Sequence, residues 1–414
     1  MNILIVNEHS ALNLGDDAIM YETFRSLGVA YPKATITLAA NDPDSWQKYG
    51  NVQVVGSLTT WVVDRKDGGW RWRKPLLPLY AGLLVLAAVL YRFGRFKLLF
   101  GHPEQRLLLC AYYDADLVLS CGGGVFYAHR SICPGFIWAL MALSFAHFLG
   151  KKVIMLPQSI GPIEGRFQRV LARLVFERVA RILVRERRSL AFLEKLKVSR
   201  TGIVLPDLAF GLPPASDVRT LPSWEDGALR IGVTVIDRAA QNKSFSRQQI
   251  YEDALVSLLV KLSRDYGAHI YFFSQCYGPT RDQDDRHSAR RVYERVRQRT
   301  ARVTLLDPFR DALEIKAAYK HMDCVIGSRT HTGVFVLSNT VPVVLIGYQP
   351  KALGVMEMFD LERYCCNIET VTEDELNRTV REVLDNKEEI RKHIAQRYTQ
   401  IQERLQDWVG YLQD

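Results

Sequence analysis

The chain has 414 residues, 48% hydrophobic and 24% charged, a composition typical of a globular protein with more than one core. Its formal net charge is +9, and eight Lys or Arg against one Asp within residues 65–97 supply +7 of this. Because the rest of the chain is nearly balanced, a general nucleic-acid-binding surface is disfavoured. The seven cysteines include no C-x-x-C pair, which indicates a reduced, intracellular protein without a zinc site, and the N-terminal residues predict no signal peptide.

Short, continuous apolar runs in the first half of the chain predict strands that are buried on both faces of a parallel sheet. These runs are residues 2–7, 36–40, 115–121, 151–158 and 180–186. The segments between several of them are long enough for crossover helices. They are residues 16–31, 133–150 and 165–180.

A proline-containing stretch with little periodicity, residues 211–230, predicts an interdomain linker. The alternation of strand and helix then restarts, with predicted strands at residues 230–236, 269–275, 302–307, 324–328 and 341–348. The pattern predicts two Rossmann-like, doubly wound α/β domains facing a cleft. We place them at residues 1–218 and 226–414, and expect the terminal helix to pack back on the first domain.

An apolar insert near residues 60–105 interrupts the first domain. Its core, residues 75–91, is slightly short for a membrane span and has basic and aromatic residues on both flanks. Symmetric flanks of this kind are typical of an interfacial or re-entrant anchor on an anionic leaflet. A buried core helix is the alternative interpretation.

Polar residues follow several predicted strands of the first domain, where α/β folds build their sites. The candidates are Asn13, Gly15, Asp16, Gly122, Gly123, Gly124, Gln158, Ser159, Arg185 and Asp207. The acids at 16 and 17 also fit an ordinary helix start, and the three glycines fit either an anion nest or a tight turn. We interpret Gln158 and Ser159 as a strand end, with the following Gly-Pro breaking the element.

In the second domain, the acids at 282, 284 and 285 are explained by the start of a helix. The stretch SRTHTGVF, residues 328–335, places Arg329 and His331 two positions apart after a buried strand. Arginine supplies a planar fork for carboxylate or phosphate, and histidine can transfer a proton near neutral pH. We therefore predict an anion-binding loop with an acid beside it.

The order of the motifs NLGDDAI, GGGVF, PQSIGPI, VRERRS, PDLAF, SRTHTGVF and VPVVLIGYQPK resembles the polysaccharide pyruvyl transferase family over nearly the whole chain, except the insert. The resemblance implies a glycosyltransferase B-like fold and phosphoenolpyruvate as donor co-substrate. It also implies transfer of the enolpyruvyl group to two sugar hydroxyls as a ketal. No cofactor is expected, and no ligand cluster in the sequence suggests a metal. One departure is that the family's Gly-Asp-Glu reads Gly15-Asp16-Asp17 here, which weakens a catalytic role for Asp17.

The resemblance also implies residue roles. Arg185 and Arg329 would clamp carboxylate and phosphate, and His331 would protonate the enol carbon. Tyr348 and Lys351 would line the same site. The first-domain candidates Asn13, Gly15, Asp16, Gly122, Gly123, Gly124, Gln158, Ser159 and Asp207 would face the acceptor or order the loops.

The predicted acceptor is a sugar of a cell-surface polysaccharide or of its lipid-linked precursor. Residues 65–97 would then hold the protein peripherally at the inner face of the cytoplasmic membrane. A homo-oligomer is open, and no nucleic-acid partner is expected. Two alternatives are a nucleotide-sugar-dependent glycosyltransferase of the same fold and a non-catalytic scaffold, which would have no need of the acid beside an anion clamp.

Overall fold

The computed structural model describes residues 1–60, 76–200, 202–214, 227–406 and 408–413. The chain forms two compact units. Unit 1 comprises Met1–Ala11, Thr23–Asp207 and Asp407–Asp414, and unit 2 comprises Leu12–Glu22 and Leu208–Gln406. The predicted division assigned residues 12–22 to the first domain, whereas in the structure they belong to unit 2. Much of the predicted linker, 215–226, lies outside the described residues.

Unit 1 is built on a parallel sheet. Its strands are β1 Asn2–Glu8, β2 Thr35–Ala40, β3 Gln53–Gly56, β4 Leu117–Ser120, β5 Gly123–Ala128, β6 Lys152–Ile163, β7 Arg181–Val184 and β8 Ile203–Val204. They are ordered β3-β2-β1-β4-β6-β7-β8, with β5 pairing β6. The central strands are buried on both faces, as their continuous apolar sequences predict.

Helices connect these strands. They are α1 Leu14–Ala30, which begins in unit 2 and ends in unit 1, α2 Leu77–Gly94, α3 Pro103–Asp114, α4 Pro134–Phe148, α5 Arg166–Phe176 and α6 Arg187–Lys195. The last described residues also belong to this unit, since Lys152 Nζ donates to the Leu412 carbonyl at 3.1 Å and Arg181 Nη1 to that of Tyr411 at 3.2 Å. In the described part of the chain, no helix has the length and apolarity needed to cross a membrane.

Unit 2 has a second parallel sheet, ordered β11-β10-β9-β12-β13-β14. Its strands are β9 Arg230–Thr234, β10 His269–Phe273, β11 Val303–Leu306, β12 Cys324–Gly327, β13 Val343–Gly347 and β14 Cys365–Asn367. Its helices are α7 Arg238–Gln241, α8 Gln248–Tyr266, α9 Asp285–Arg297, α10 Ala312–Tyr319, α11 Thr330–Ser338, α12 Pro350–Glu357, α13 Glu373–Asp385 and α14 Lys387–Leu405. The two sheets confirm the prediction of two Rossmann-like α/β domains.

The prediction that Gln158 and Ser159 end a strand is wrong. Strand β6 continues through Gly161 and Pro162 to Ile163, because β5 supplies a second partner along this stretch. Gly123 and Gly124 begin β5 rather than forming a loop, and Gly123 has φ +104°, which favours glycine. Sequence analysis missed β5 because its glycines were assigned to a turn or a nest.

Candidate functional site

Polar side chains of unit 2 gather where the parallel strands end at their carboxyl edge. In the sheet, β9 lies between β10 and β12. The strands β10 and β11 lie on one side of β9, and β12, β13 and β14 lie on the other, so the strand order reverses at β9. Such a switch point leaves a crevice outside the carboxyl ends of the strands, where α/β proteins bind ligands. The segments that follow β9, β10, β12 and β13 all reach this edge.

Arg329 lies directly after β12, at the N-cap position of α11. Its Nε lies 3.2 and 3.1 Å from the two oxygens of Asp285, and its Nη2 lies 2.5 Å from Oδ1. Asp285 is buried and also accepts the backbone N–H of Cys276 at 3.1 Å. Burial alone would lower the pKa of the Arg329 guanidinium, but Asp285 outweighs it and the net pKa is raised. Arg329 is therefore a fixed cation.

Tyr348 follows β13, and two cations besides Arg329 act on it, Arg238 and Lys351. Arg329 Nη1 donates to the Tyr348 hydroxyl at 3.4 Å, and the Arg238 guanidinium lies 5.0 Å from the centre of the Tyr348 ring. Burial raises the pKa of the Tyr348 phenol, but the charges of Arg329 and Lys351 outweigh this, and the net pKa is lowered. We call Arg238, Arg329 and Lys351 around Tyr348 the cationic cluster.

The cationic cluster contains an unused donor. Arg238 belongs to the short helix α7 after β9, and among the described residues no acceptor lies within hydrogen-bonding distance of its buried Nε. The Nε2 atom of Gln275 likewise has no hydrogen-bond partner among the described residues, and the residue is 1% exposed. Both donors are available to a polar ligand at this edge of the sheet.

His331 lies in the first turn of α11 rather than in a loop as predicted, and it is 8% exposed. Its ring packs directly on the Cα of Gly15, where an added Cβ would overlap the imidazole. The Leu12–Leu14 segment is held there by the edge of the sheet, because Leu14 N–H donates to the Gln275 carbonyl at 3.1 Å and Tyr277 N–H to that of Leu12 at 2.8 Å. Gly15 therefore positions the imidazole.

The polar residues next to Gly15, Asn13, Asp16 and Asp17, make different contacts. Asn13 Oδ1 accepts the Gly15 N–H at 3.1 Å, and Asn13 Nδ2 donates to Asp16 at 2.9 Å, which leaves the partly exposed Asp16 carboxylate in a fixed position. Asp17 is fully buried and accepts the backbone N–H of Ala312, the first residue of α10, at 3.0 Å. Its contact is structural, in line with the weak catalytic case made from the sequence.

We expect Gly15→Ala to destabilise the protein by about 1–3 kcal/mol, as overpacking of a filled site does, and to displace His331. The matched control is Gly28→Ala in the same helix, where an added Cβ meets nothing within 4 Å. Because alanine is the better helix former, this control should gain about 0.5–1 kcal/mol. Denaturant unfolding measures both. A Gly15→Ala protein as stable as the control would contradict the packing argument.

A hydrogen-bonded layer beneath α11 fixes the start of the helix. Thr234, the last residue of β9, accepts the Ser328 N–H with its hydroxyl at 2.9 Å, and its carbonyl accepts from the Ser328 hydroxyl at 2.9 Å. The Thr332 hydroxyl donates to Gln275 Oε1 at 2.5 Å. These buried bonds hold the residues on either side of Arg329 and His331 rigidly.

In unit 1, Arg185 follows β7 directly, as predicted from the sequence, and is 1% exposed. Its Nη1 lies 2.5 Å from the buried Asp207 carboxylate, and its Nε donates to the Ser159 hydroxyl at 2.8 Å. Ser159 in turn donates to Glu186 at 3.0 Å. The structure therefore brings Arg185, Ser159 and Asp207 together in a buried ionic cluster, in which the carboxylates of Asp207 and Glu186 flank one guanidinium.

The other predicted residues of unit 1 lie around β6. Gln158 is fully buried and pairs with Gly123 across the sheet, and no partner for its amide lies in the part of unit 1 that the structure describes. The sequence predicted Asn13, Gly15 and Asp16 in the same domain as these residues, but the three belong to unit 2 with Arg329, His331, Tyr348 and Lys351.

Sequence analysis missed two residues of this site. Arg238 carried a usable signal, because Asp237-Arg238 follows a predicted strand just as Arg329 does. The three acids after β10 were all assigned to the helix start, which is correct for Asp284, whose side chain accepts the Arg286 N–H at 3.0 Å. Asp285 instead binds Arg329. Over the described ranges, no group of three or more His, Cys, Asp or Glu side chains is placed to hold a metal ion.

Comparison with known proteins gives a family and a fold. Residues 13–350 match the family described as "Polysaccharide pyruvyl transferase". "Amylovoran biosynthesis protein AmsJ" from Erwinia amylovora is 26% identical to this chain over 418 residues, with 95% of each chain covered.

Solved structures with the same fold are more distant in sequence. The UDP-GlcNAc 2-epimerase from Neisseria meningitidis, bound to UDP-GlcNAc, superposes with a TM-score of 0.57 at 11% identity, covering 98% of this chain and 99% of that chain. HepE from Anabaena, in complex with UDP-glucose, gives 0.53 at 13% identity, covering 98% and 95%. At these identities the likeness shows only the fold, and it confirms the predicted glycosyltransferase B-like class.

Proposed function

The chain belongs to the polysaccharide pyruvyl transferase family, and we propose that it transfers the enolpyruvyl group of phosphoenolpyruvate to two hydroxyls of a sugar. The products are a cyclic pyruvate ketal and inorganic phosphate. The observation that carries this proposal is the cationic cluster at the carboxyl edge of the second sheet, with His331 two residues after Arg329 in the first turn of α11. A small ligand with a carboxylate and a phosphate matches such a set of donors.

The reaction can be written with its protons balanced. The first sugar hydroxyl forms a C–O bond to C2 of phosphoenolpyruvate, while C3 gains a proton and becomes a methyl group. The second hydroxyl then bonds to C2 as the C2–O bond to phosphate breaks. One hydroxyl proton replaces the proton given to C3, and the other leaves with phosphate. No oxidant or reductant is consumed.

The cationic cluster would stabilise the donor and its leaving group. Arg329 is held by Asp285 with one edge of its guanidinium, and its Nη1 reaches the Tyr348 hydroxyl instead. Arg238 and Lys351 add two positive charges near the same phenol. Fixed cations cost no reorganisation when negative charge develops on the departing phosphate, so they favour the transition state.

Two groups would move protons. His331 is assigned as the acid that protonates C3, because its ring is fixed between α11 and Gly15 and it follows Arg329 by two residues at the start of α11. Asp16 is assigned as the base for the attacking hydroxyl. Its carboxylate is held by Asn13, and Asp16 adjoins Gly15, on which the His331 ring packs.

The acceptor would be a sugar of a cell-surface polysaccharide or of its lipid-linked precursor. The relative AmsJ, whose name refers to biosynthesis of the polysaccharide amylovoran, supports an exopolysaccharide as the final product. The two bridged hydroxyls must be close enough in space to close one ring.

A thermal shift experiment tests the donor. Phosphoenolpyruvate at 100 times its Kd should stabilise the protein by about 2.7 kcal/mol, whereas UDP-sugars and GDP-sugars should not. Release of phosphate from phosphoenolpyruvate should then require a polysaccharide or lipid extract of the source cell. Stabilisation by a nucleotide sugar instead would favour a glycosyltransferase, and stabilisation by neither would leave a scaffold.

We expect Arg238→Gln to lower kcat/KM for phosphoenolpyruvate by about tenfold to a hundredfold, with a higher KM and a lower kcat, because a charge-assisted hydrogen bond contributes about 1.5–3 kcal/mol. Arg297→Gln is the control, since its side chain is 61% exposed on α9 and pairs only with Glu294 of the same helix among the residues the structure describes. Steady-state kinetics measures both variants. An unchanged kcat/KM for Arg238→Gln would remove this residue from the donor site.

A further inference from the structure

Helix α2 of unit 1 has two apolar faces. One face packs into the core of the unit through Tyr80, Leu84 and Tyr91. The other is open to solvent, and Phe93 is 86% exposed and Val89 46%. The sequence left a core helix and an interfacial helix as alternatives. In the structure both faces of the helix are apolar: one contacts the core of the unit, and the other exposes hydrophobic residues to solvent.

Helix α5 repeats this arrangement with charge added. Phe167, Val170 and Leu174, spaced i, i+3 and i+7, form an exposed apolar stripe, with exposed fractions of 64%, 59% and 50%. A stripe of exposed arginines, displaced by one residue, runs beside it and consists of Arg166, Arg169 and Arg173. An apolar stripe next to a basic one is typical of helices that lie in a membrane interface.

Helix α4 joins the two surfaces. A groove of about 630 Å³ between α2 and the end of α4 is lined by apolar residues together with Arg92, His147, Lys151 and Lys152. A second groove of about 290 Å³ continues from it to α5, and both share Val85. We call the exposed faces of α2 and α5 and these two grooves the apolar-basic surface.

The charges on this surface have one sign. The sequences of α2, α4 and α5 contain no Asp or Glu. Burial lowers the pKa of the His147 imidazole, and the charges of Arg178 and Arg92 lower it further, which is the effect of a positive local field. Such a surface complements anionic lipid headgroups over an apolar interior, whereas two copies of it would repel each other.

We propose that the apolar-basic surface docks this protein peripherally on an anionic lipid bilayer. Phe93, Val89 and the α5 stripe would enter the interface, while the arginines of α5 and Arg92 contact headgroups. Of the predicted contact segment 65–97, residues 65–75 lie outside the described residues, and the proposal does not use them. It adds α4 and α5, which the sequence assigned only as crossover helices.

Flotation of the full-length protein with vesicles tests the proposal. We expect binding to vesicles of neutral lipid with about one third anionic phospholipid, and loss of binding at 1 M salt, where the Debye length is about 3 Å. Phe93→Ser and Leu174→Ser should each weaken the partition coefficient by about tenfold or more. The matched control is Val29→Ser on α1, where Val29 is 77% exposed and lines neither groove.

Charge is tested separately. Arg173→Glu should lower binding to the anionic vesicles by about tenfold, whereas Arg297→Glu on α9 should not. Because no substrate is present, failure here would not affect the assignment of the reaction. Absence of binding to the anionic vesicles would overturn the proposal. So would a self-association, measured by sedimentation velocity, that Phe93→Ser and Leu174→Ser abolish, since a second copy would then cover the surface.

Discussion

Replacement of Arg329 with methionine is expected to lower the free energy of unfolding by about 3–5 kcal/mol, because the Asp285 carboxylate is left buried without its cation. Asp285 is 2% exposed and receives Nε and Nη2 of the guanidinium. The same substitution should also abolish stabilisation by phosphoenolpyruvate, since the central donor of the cationic cluster is gone. Denaturant unfolding and thermal shift measure the two effects independently.

A second substitution separates stability from binding. In Arg329→Met with Asp285→Asn, the buried negative charge is removed while an oxygen is kept for the Cys276 N–H. Most of the lost stability should return, but phosphoenolpyruvate should still fail to stabilise the protein. If the double variant recovered ligand binding, Arg329 would be a structural partner of Asp285 and would have no contact with the donor.

Replacement of His331 with glutamine is expected to reduce acceptor-dependent phosphate release at least about a hundredfold, the lower range for loss of a positioned acid. Glutamine keeps a polar side chain of similar length but cannot supply the proton. Because His331 is assigned to chemistry and not to anion binding, stabilisation by phosphoenolpyruvate should be retained. This pattern is the opposite of the one expected for Arg329→Met.

The control for His331 is His287→Gln, an exposed histidine on α9 with a 51% exposed side chain. In deuterated water the wild-type ketal should carry one deuterium in its methyl group, which mass spectrometry can detect and which confirms protonation at C3. A His331→Gln rate within about fivefold of the wild-type rate would show that another group supplies this proton.

The two-sheet fold could be predicted because a buried parallel strand carries its signal in its own residues. The ten predicted strands all occur, since each is a continuous apolar run. Strands β3, β5, β8 and β14 were missed because they are short or glycine-containing and are held by a neighbouring strand rather than by their own sequence. Such dependence on tertiary pairing is invisible to local patterns.

The site was predictable in part for a related reason. Arg329 and His331 follow a strong strand, so their position at the carboxyl edge could be read from the sequence. Their contacts with Asp285 and Gly15 could not, because these partners lie 44 and 316 residues away. The unusual assignment of residues 12–22 to unit 2 likewise depends on backbone hydrogen bonds with the segment after β10.

That pairing of distant segments sets the order in which the site can form during synthesis. Gly15 leaves the ribosome about 300 residues before His331, a delay of roughly 15–60 s at about 5–20 residues per second. For most of this interval the segment 12–22 lacks the residues at 275–277, with which its backbone pairs. A nascent chain can therefore complete much of the first sheet and still lack the contact between Gly15 and the His331 imidazole. Catalytic competence should appear only after the chain has been translated past Lys351, the last residue of the cationic cluster.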